Sequence, residues 1–166
     1  MPLSAPPTFD ELAETASELR DCVARARDEH FKLVWLVGGT SARRTRVMDA
    51  LVKSEAGAYL DLGKKLSGAL LDVPVHLRAA SVHECFAAFL GAESGTLTCL
   101  DHLDILFESS LKTNAVELVK NASRHALLVA SWPGIFEHGN LVFGPSDHPC
   151  HKEIPERELE SAVHII

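Results

Sequence analysis

The residues best suited to chemistry stand directly after a short apolar run: Gly38-Gly39-Thr40-Ser41-Ala42-Arg43-Arg44-Thr45. A phosphate-binding P-loop reads G-x-x-x-x-G-K-[ST] after a buried strand. Its glycines let backbone amides curl around the phosphates, its lysine reaches the β/γ-phosphates, and its hydroxyl meets Mg²⁺. Gly38 and Thr45 match, Arg44 stands where the lysine belongs, and Arg43 replaces the second glycine. A planar guanidinium is no equivalent of a compact ammonium at a tight phosphate site. A side chain at a position needing positive φ costs roughly 1–2 kcal/mol. The eight residues Gly38 to Thr45 therefore predict a degraded cofactor site, weak or lost for ATP or ADP with Mg²⁺, in which Thr45 still offers its hydroxyl.

The arginines carry a second expectation. Arg43, Arg44 and Arg46 fall in the first turn of the following helix, where the macrodipole is positive and each cation costs a few tenths to about 1 kcal/mol unless an anion compensates. A phosphate-containing ligand fits first, and a partner or nucleic-acid contact second. The plain alternative is solvent-facing arginines on a degenerate loop. On the same electrostatics, Arg44→Ala should stabilise the domain slightly by relieving repulsion.

A P-loop NTPase also needs a strand ending in Asp to support Mg²⁺. Thr96-Leu97-Thr98-Cys99-Leu100-Asp101 supplies one, so Asp101 joins Thr45 as a candidate metal ligand, against the reading of an ordinary strand-end acid. The next residue is His102 and the nearest acid Asp104. Hydrolysis is expected to be weak or absent. Asp147-His148-Pro149-Cys150-His151 is a single cluster, whereas structural zinc sites usually bring paired ligands from two segments; no zinc is expected. Gly-x-Ser-x-Gly and Cys-x-x-Cys are absent from the sequence, so acyl transfer and thiol redox chemistry lack a basis.

Elements must hold these residues in place. Thr8-Phe9-Asp10-Glu11 has the form of a capping box, opening an amphipathic helix to about residue 28. Leu33-Val34-Trp35-Leu36-Val37 is a short continuous apolar run, the pattern of a strand buried on both faces. A helix is expected over 43–54, a strand over 58–62 and a helix over 63–72, stopped by Pro74. Ser81-Val82-His83-Glu84 reads as another capping box. Further strands are expected over 96–101 and 126–131, with a helix over 112–124 between them. Leu141-Val142-Phe143 reads as a last edge strand. Trp35, Phe86, Phe89 and Phe107 belong to the core, and Trp132 has a structural role ahead of one in lining the site. Alternating strand and helix predict an α/β fold with a central, mostly parallel sheet covered by helices on both faces, the three-layer P-loop NTPase-like arrangement.

Composition sets the outer bounds. The chain has 166 residues, 46% hydrophobic and 23% charged, which fits one globular domain over 8–166 behind a loose, proline-rich tail at 1–7. A formal charge of −7 argues against binding nucleic acid through its phosphate backbone. No apolar run approaches the roughly 20 residues that span a bilayer, and no signal peptide is visible, so the cytoplasm is expected. The scattered Cys22, Cys85, Cys99 and Cys150 read as buried thiols.

Segment order adds a resemblance. Tyr59-Leu60-Asp61-Leu62 with Leu66-Ser67 and Leu70-Leu71 resembles the "YLNL…LS..LL" stretch of the BrxF family. Asp101-His102-Leu103-Asp104-Ile105-Leu106-Phe107 resembles its "LDNIEILF" segment, and Ser123-Arg124 with Ala130-Ser131-Trp132-Pro133-Gly134 its "SR…AWPG" element. The likeness runs over about residues 31–150, with Arg43 and Arg44 as departures. It implies a P-loop-containing component of a bacterial BREX anti-phage system, working among other BREX proteins as a regulatory or assembly subunit. An ATP-binding or hydrolysing switch is the alternative, and homo-oligomers are compatible with either.

Overall fold

The structure is a computed structural model and describes residues 8–93 and 96–166; the expected tail at 1–7 lies outside the described residues. The elements are α1 (Phe9–Ala26), β1 (Leu33–Val37), α2 (Ser41–Glu55), β2 (Ala58–Asp61), α3 (Leu62–Leu71), α4 (Val75–Ala92) and β3 (Thr98–Asp101). Two 3-10 turns follow, Leu103–Phe107 and Ser109–Leu111. Then come α5 (Ala115–Ala122), β4 (Leu128–Ser131), β5 (Ile135–Glu137), β6 (Asn140–Phe143), β7 (Lys152–Pro155), α6 (Glu156–Leu159) and β8 (Ala162–Ile165).

Five strands form one parallel sheet in the order β2-β3-β4-β1-β8. Every residue of β1, β3 and β4 is buried, as expected of central strands covered on both faces. On one face Leu19 and Val23 of α1 and Val47, Met48 and Leu51 of α2 pack on Val34, Leu36, Cys99 and Val129. On the other, Leu62 and Leu66 of α3, Phe86 of α4 and Val119 of α5 meet Trp35, Leu100 and Ala130. The result is an α/β sandwich of three layers. Trp132 is buried with Trp35 and Phe107 set edge-on to it, and its indole N–H donates to the Val142 carbonyl at 3.1 Å. That is a structural role.

Several local expectations need correction. The α4 helix starts at Val75, with Pro74 at its amino-terminal boundary. Proline suits a helix start because its missing N–H would be unpartnered there anyway. Ser81 is therefore mid-helix, and its hydroxyl donates back to the Leu77 carbonyl at 3.0 Å. At Thr8 half of the capping box forms: Oγ1 accepts the Glu11 amide at 3.4 Å, while the Glu11 carboxylate turns to Arg43. The helix expected from residue 112 begins only at Ala115, because Lys112 is left-handed (φ 49°) and Asn114 takes the cap. Leu141–Phe143 is no edge strand. It belongs to β6, central in a separate antiparallel sheet of order β5-β6-β7. The true edge beside β1 is β8, and Cys85 and Cys150 are only half-buried.

Candidate functional site at the strand ends

The carboxyl ends of β1, β4 and β3 bring the candidate residues together. The helix after β1 covers one face of the sheet, and the segments after β2 and β3 cover the other. That places a topological switch at β1, where open α/β sheets bind ligands. The loop there is short. Thr40 is already the helix cap, its hydroxyl accepting the Arg43 amide at 3.1 Å, so only Gly38, Gly39 and Thr40 separate β1 from α2. Ser41, Ala42 and Arg43, which the P-loop pattern would spread around a phosphate, are the first residues of the helix.

Both glycines have positive φ, 93° at Gly38 and 56° at Gly39. A Cβ on Gly38 would sit 2.5 Å from the Ile166 carbonyl oxygen. The close approach of the chain after β8 is reason enough for glycine, without any phosphate. Arg43 has helical backbone, so the strain expected at the second-glycine position does not arise. Its guanidinium meets Glu11 at 3.3 Å and ties α2 to α1.

Arg44 departs furthest from expectation. It is 7% exposed. Its Nε donates to Ser131 Oγ at 2.9 Å, and one terminal nitrogen donates to the carbonyls of Gly38 at 2.9 Å and Gly39 at 3.3 Å. Burial pushes its pKa below the ordinary guanidinium value, and the nearby Asp101 carboxylate opposes that shift. The three arginines thus diverge: Arg43 faces Glu11, Arg44 turns inward, and Arg46 is exposed. They do not form one shared positive turn.

The two residues proposed to hold Mg²⁺ touch each other. Thr45 Oγ1 lies 2.6 Å from Asp101 Oδ2 and 3.0 Å from the Ser41 carbonyl; the charged carboxylate is the shorter and stronger acceptor. Asp101 is 1% exposed. Its Oδ2 also accepts the Tyr59 hydroxyl at 2.7 Å, and its Oδ1 accepts the His102 amide at 2.9 Å. Burial and these bonds push the Tyr59 pKa well above the ordinary phenol value. His102 is left-handed (φ 56°), and its Nε2 lies 3.7 Å from Asp101 and 4.0 Å from Asp61. The parallel pairing of Asp61 with Asp101 sets this acidic row.

Of the residues gathered here, Gly38 to Thr45 and Asp101 are recognisable from sequence as site candidates, whereas Tyr59 and Ser131 join them only in the structure. Ser131 carried a usable signal, since it is a hydroxyl closing an apolar strand at the end where such sheets bind ligands. Tyr59 carried none, because only strand pairing brings it to Asp101. A cavity of about 270 Å³ lies over this cluster, lined by Arg44, Asp101, His102, Asp104 and Ser131 among others. A more open groove of about 520 Å³ shares His102 and Asp104 and adds Asp61, Glu108 and Lys64. Carboxylates outnumber cations across both.

The segment 147–151 is a turn in which His148 Nδ1 accepts the Cys150 amide at 3.1 Å and His151 Nδ1 is 2.9 Å from the Gly144 carbonyl. Among the described residues no group of three or more His, Cys, Asp and Glu is placed to hold a metal ion. No described helix is long and apolar enough to cross a membrane. Compared with protein-family models, curated proteins and solved structures, the chain matches none.

Proposed function

We propose that the chain is a P-loop-like domain of the BrxF kind, a subunit of a BREX-type anti-phage system that assembles with other BREX proteins and has weak or lost nucleotide binding. One observation carries the loss. The guanidinium that replaces the P-loop lysine commits its Nε and one terminal nitrogen to Ser131 and to the Gly38 and Gly39 carbonyls, leaving only the other terminal nitrogen for the cavity it lines. Those donors would otherwise face a phosphate. The short loop supports the same reading, because the amides that wrap a phosphate belong here to a helix capped by Thr40. Charge adds to it: a triphosphate entering the groove would meet Asp61, Asp101, Asp104 and Glu108.

A second reading, a nucleotide-responsive switch, is favoured by one contact. Thr45 and Asp101, the pair that would hold Mg²⁺, are already side by side at 2.6 Å. Two assays decide between them. The first compares ATP turnover of the wild type with that of a Thr45→Ala/Asp101→Ala double variant. The second measures phage plating on a host whose BREX locus carries either form. The assembly reading expects equal, background turnover and equal protection, provided the variant folds. Turnover or protection present in the wild type and lost in a folded double variant selects the switch.

A further inference from the structure

A second cavity, of about 450 Å³, lies between the 3-10 turns, the start of α5 and the small antiparallel sheet. Its volume falls in the range of small-molecule sites, which are mostly apolar with a few convergent polar groups. One wall is Phe107, held rigid by stacking on Phe143 at 4.1 Å and by its edge-on contact with Trp132 at 5.4 Å. Val116 and Ile154 continue the apolar lining. Lys112 and Lys152 also line it, one from the left-handed residue after the second 3-10 turn and one from β7; the single acid is Glu108.

The formal charge is −7, and among the described residues the lysines in ion pairs are Lys53 and Lys120. Lys112 and Lys152, like Lys32, Lys64 and Lys65, have no such partner among the described residues, but these two line the same concave, half-apolar space. In the strand-end cavities carboxylates outnumber Lys and Arg, whereas here two lysines face one acid, so a small anion is favoured here over there. We propose that this cavity binds a small anion carrying an apolar body, an aryl or alkyl phosphate or carboxylate, with the charge between Lys112 and Lys152 and the body against Phe107 and Ile154. This site is independent of any nucleotide-binding role of the Gly38–Thr45 loop. Its occupant would bridge the main domain and the small sheet.

The test is a ¹⁵N-resolved NMR titration of the full chain with phenyl phosphate, inorganic phosphate and benzyl alcohol in parallel. Phenyl phosphate is expected to shift the amides of Val116, Lys152 and Ile154 saturably, and to bind at least tenfold more tightly than either half-molecule. A Lys112→Glu/Lys152→Glu variant should weaken it at least tenfold. If that variant does not fold, the single Lys112→Gln and Lys152→Gln variants should each weaken it severalfold. Three results would overturn the proposal: no saturable shift, phosphate binding as well as phenyl phosphate, or shifts centred on Gly38–Thr45. Unchanged affinity in the folded charge variants would do the same.

Discussion

Replacing Arg44 with alanine is the sharpest perturbation of the strand-end site. Relief of like-charge repulsion in the first turn of α2 would make the change mildly stabilising, but the geometry reverses that sign. Arg44 is 7% exposed and donates to three oxygens. A hydrogen bond involving a charged group contributes about 1.5–3 kcal/mol, and the contributions do not add. The carbonyls of Gly38 and Gly39 regain part of their loss by hydration at the exposed loop. Removing the guanidinium also takes a favourable charge from the neighbourhood of the buried Asp101. A net destabilisation of about 2–4 kcal/mol follows from these magnitudes. For a chain of this size that lowers the melting temperature by roughly 5–15 °C. Urea unfolding followed by the fluorescence of Trp35 and Trp132, both in the core, measures it directly. Arg44→Lys keeps the charge but not the fork and should lose about half as much. A change below about 0.5 kcal/mol, or a gain in stability, would refute the inward-facing role of Arg44.

Other expectations follow from neighbouring contacts. Gly38→Ala should cost about 2–3 kcal/mol through positive φ and the clash with Ile166, whereas Gly68→Ala and Gly91→Ala, in open space on helices, should gain roughly 0.5–1 kcal/mol; urea midpoints decide. Thr40→Ala should lose about 1 kcal/mol as a true cap, and mid-helix Ser81→Ala under about 0.5 kcal/mol, a contrast that fails if α4 starts at Ser81. Tyr59 titrates above its ordinary value near 10 in the folded state, so its contribution is complete below pH 10 and is lost as pH rises further, when only the unfolded chain ionises. Cys99, pushed up to about 12 by burial, adds a loss of the same sign once pH passes its ordinary value. The fall in stability between pH 9 and 11 should therefore be shallower in Tyr59→Phe than in the wild type, and equal slopes would remove Tyr59 from the account.

The strands that build the sheet were legible where apolar residues run without interruption. Leu33–Val37 and Leu128–Ser131 could be read because burial on both faces leaves no room for polar alternation. β8 could not. Ala162-Val163-His164-Ile165 is half-buried on an edge, and its histidine breaks the apolar pattern. The early start of α4 was hidden because Ser81 and Glu84 mimic a cap that Pro74 makes unnecessary. At the site, residue types showed which positions belong together, and the contact of Thr45 with Asp101 agrees with that grouping. Side-chain direction is another matter. Whether a first-turn arginine faces solvent or the strand ends depends on the acceptors within reach. Ser131 and the Gly38 and Gly39 carbonyls meet Arg44 only once β4 lies beside β1.

The most direct test of the central claim follows the Arg44 side chain itself. In a ¹⁵N spectrum of the guanidinium Nε–H groups, the Arg44 signal, assigned by its loss in Arg44→Lys, should be protected from solvent exchange by its bond to Ser131. It should not move when Mg²⁺-ATP is raised to about 10 mM, because a donor held inside the protein offers nothing to a phosphate. A rapidly exchanging signal, or a shift that saturates with ATP and disappears in Thr45→Ala, would contradict the account and make this loop a working nucleotide site.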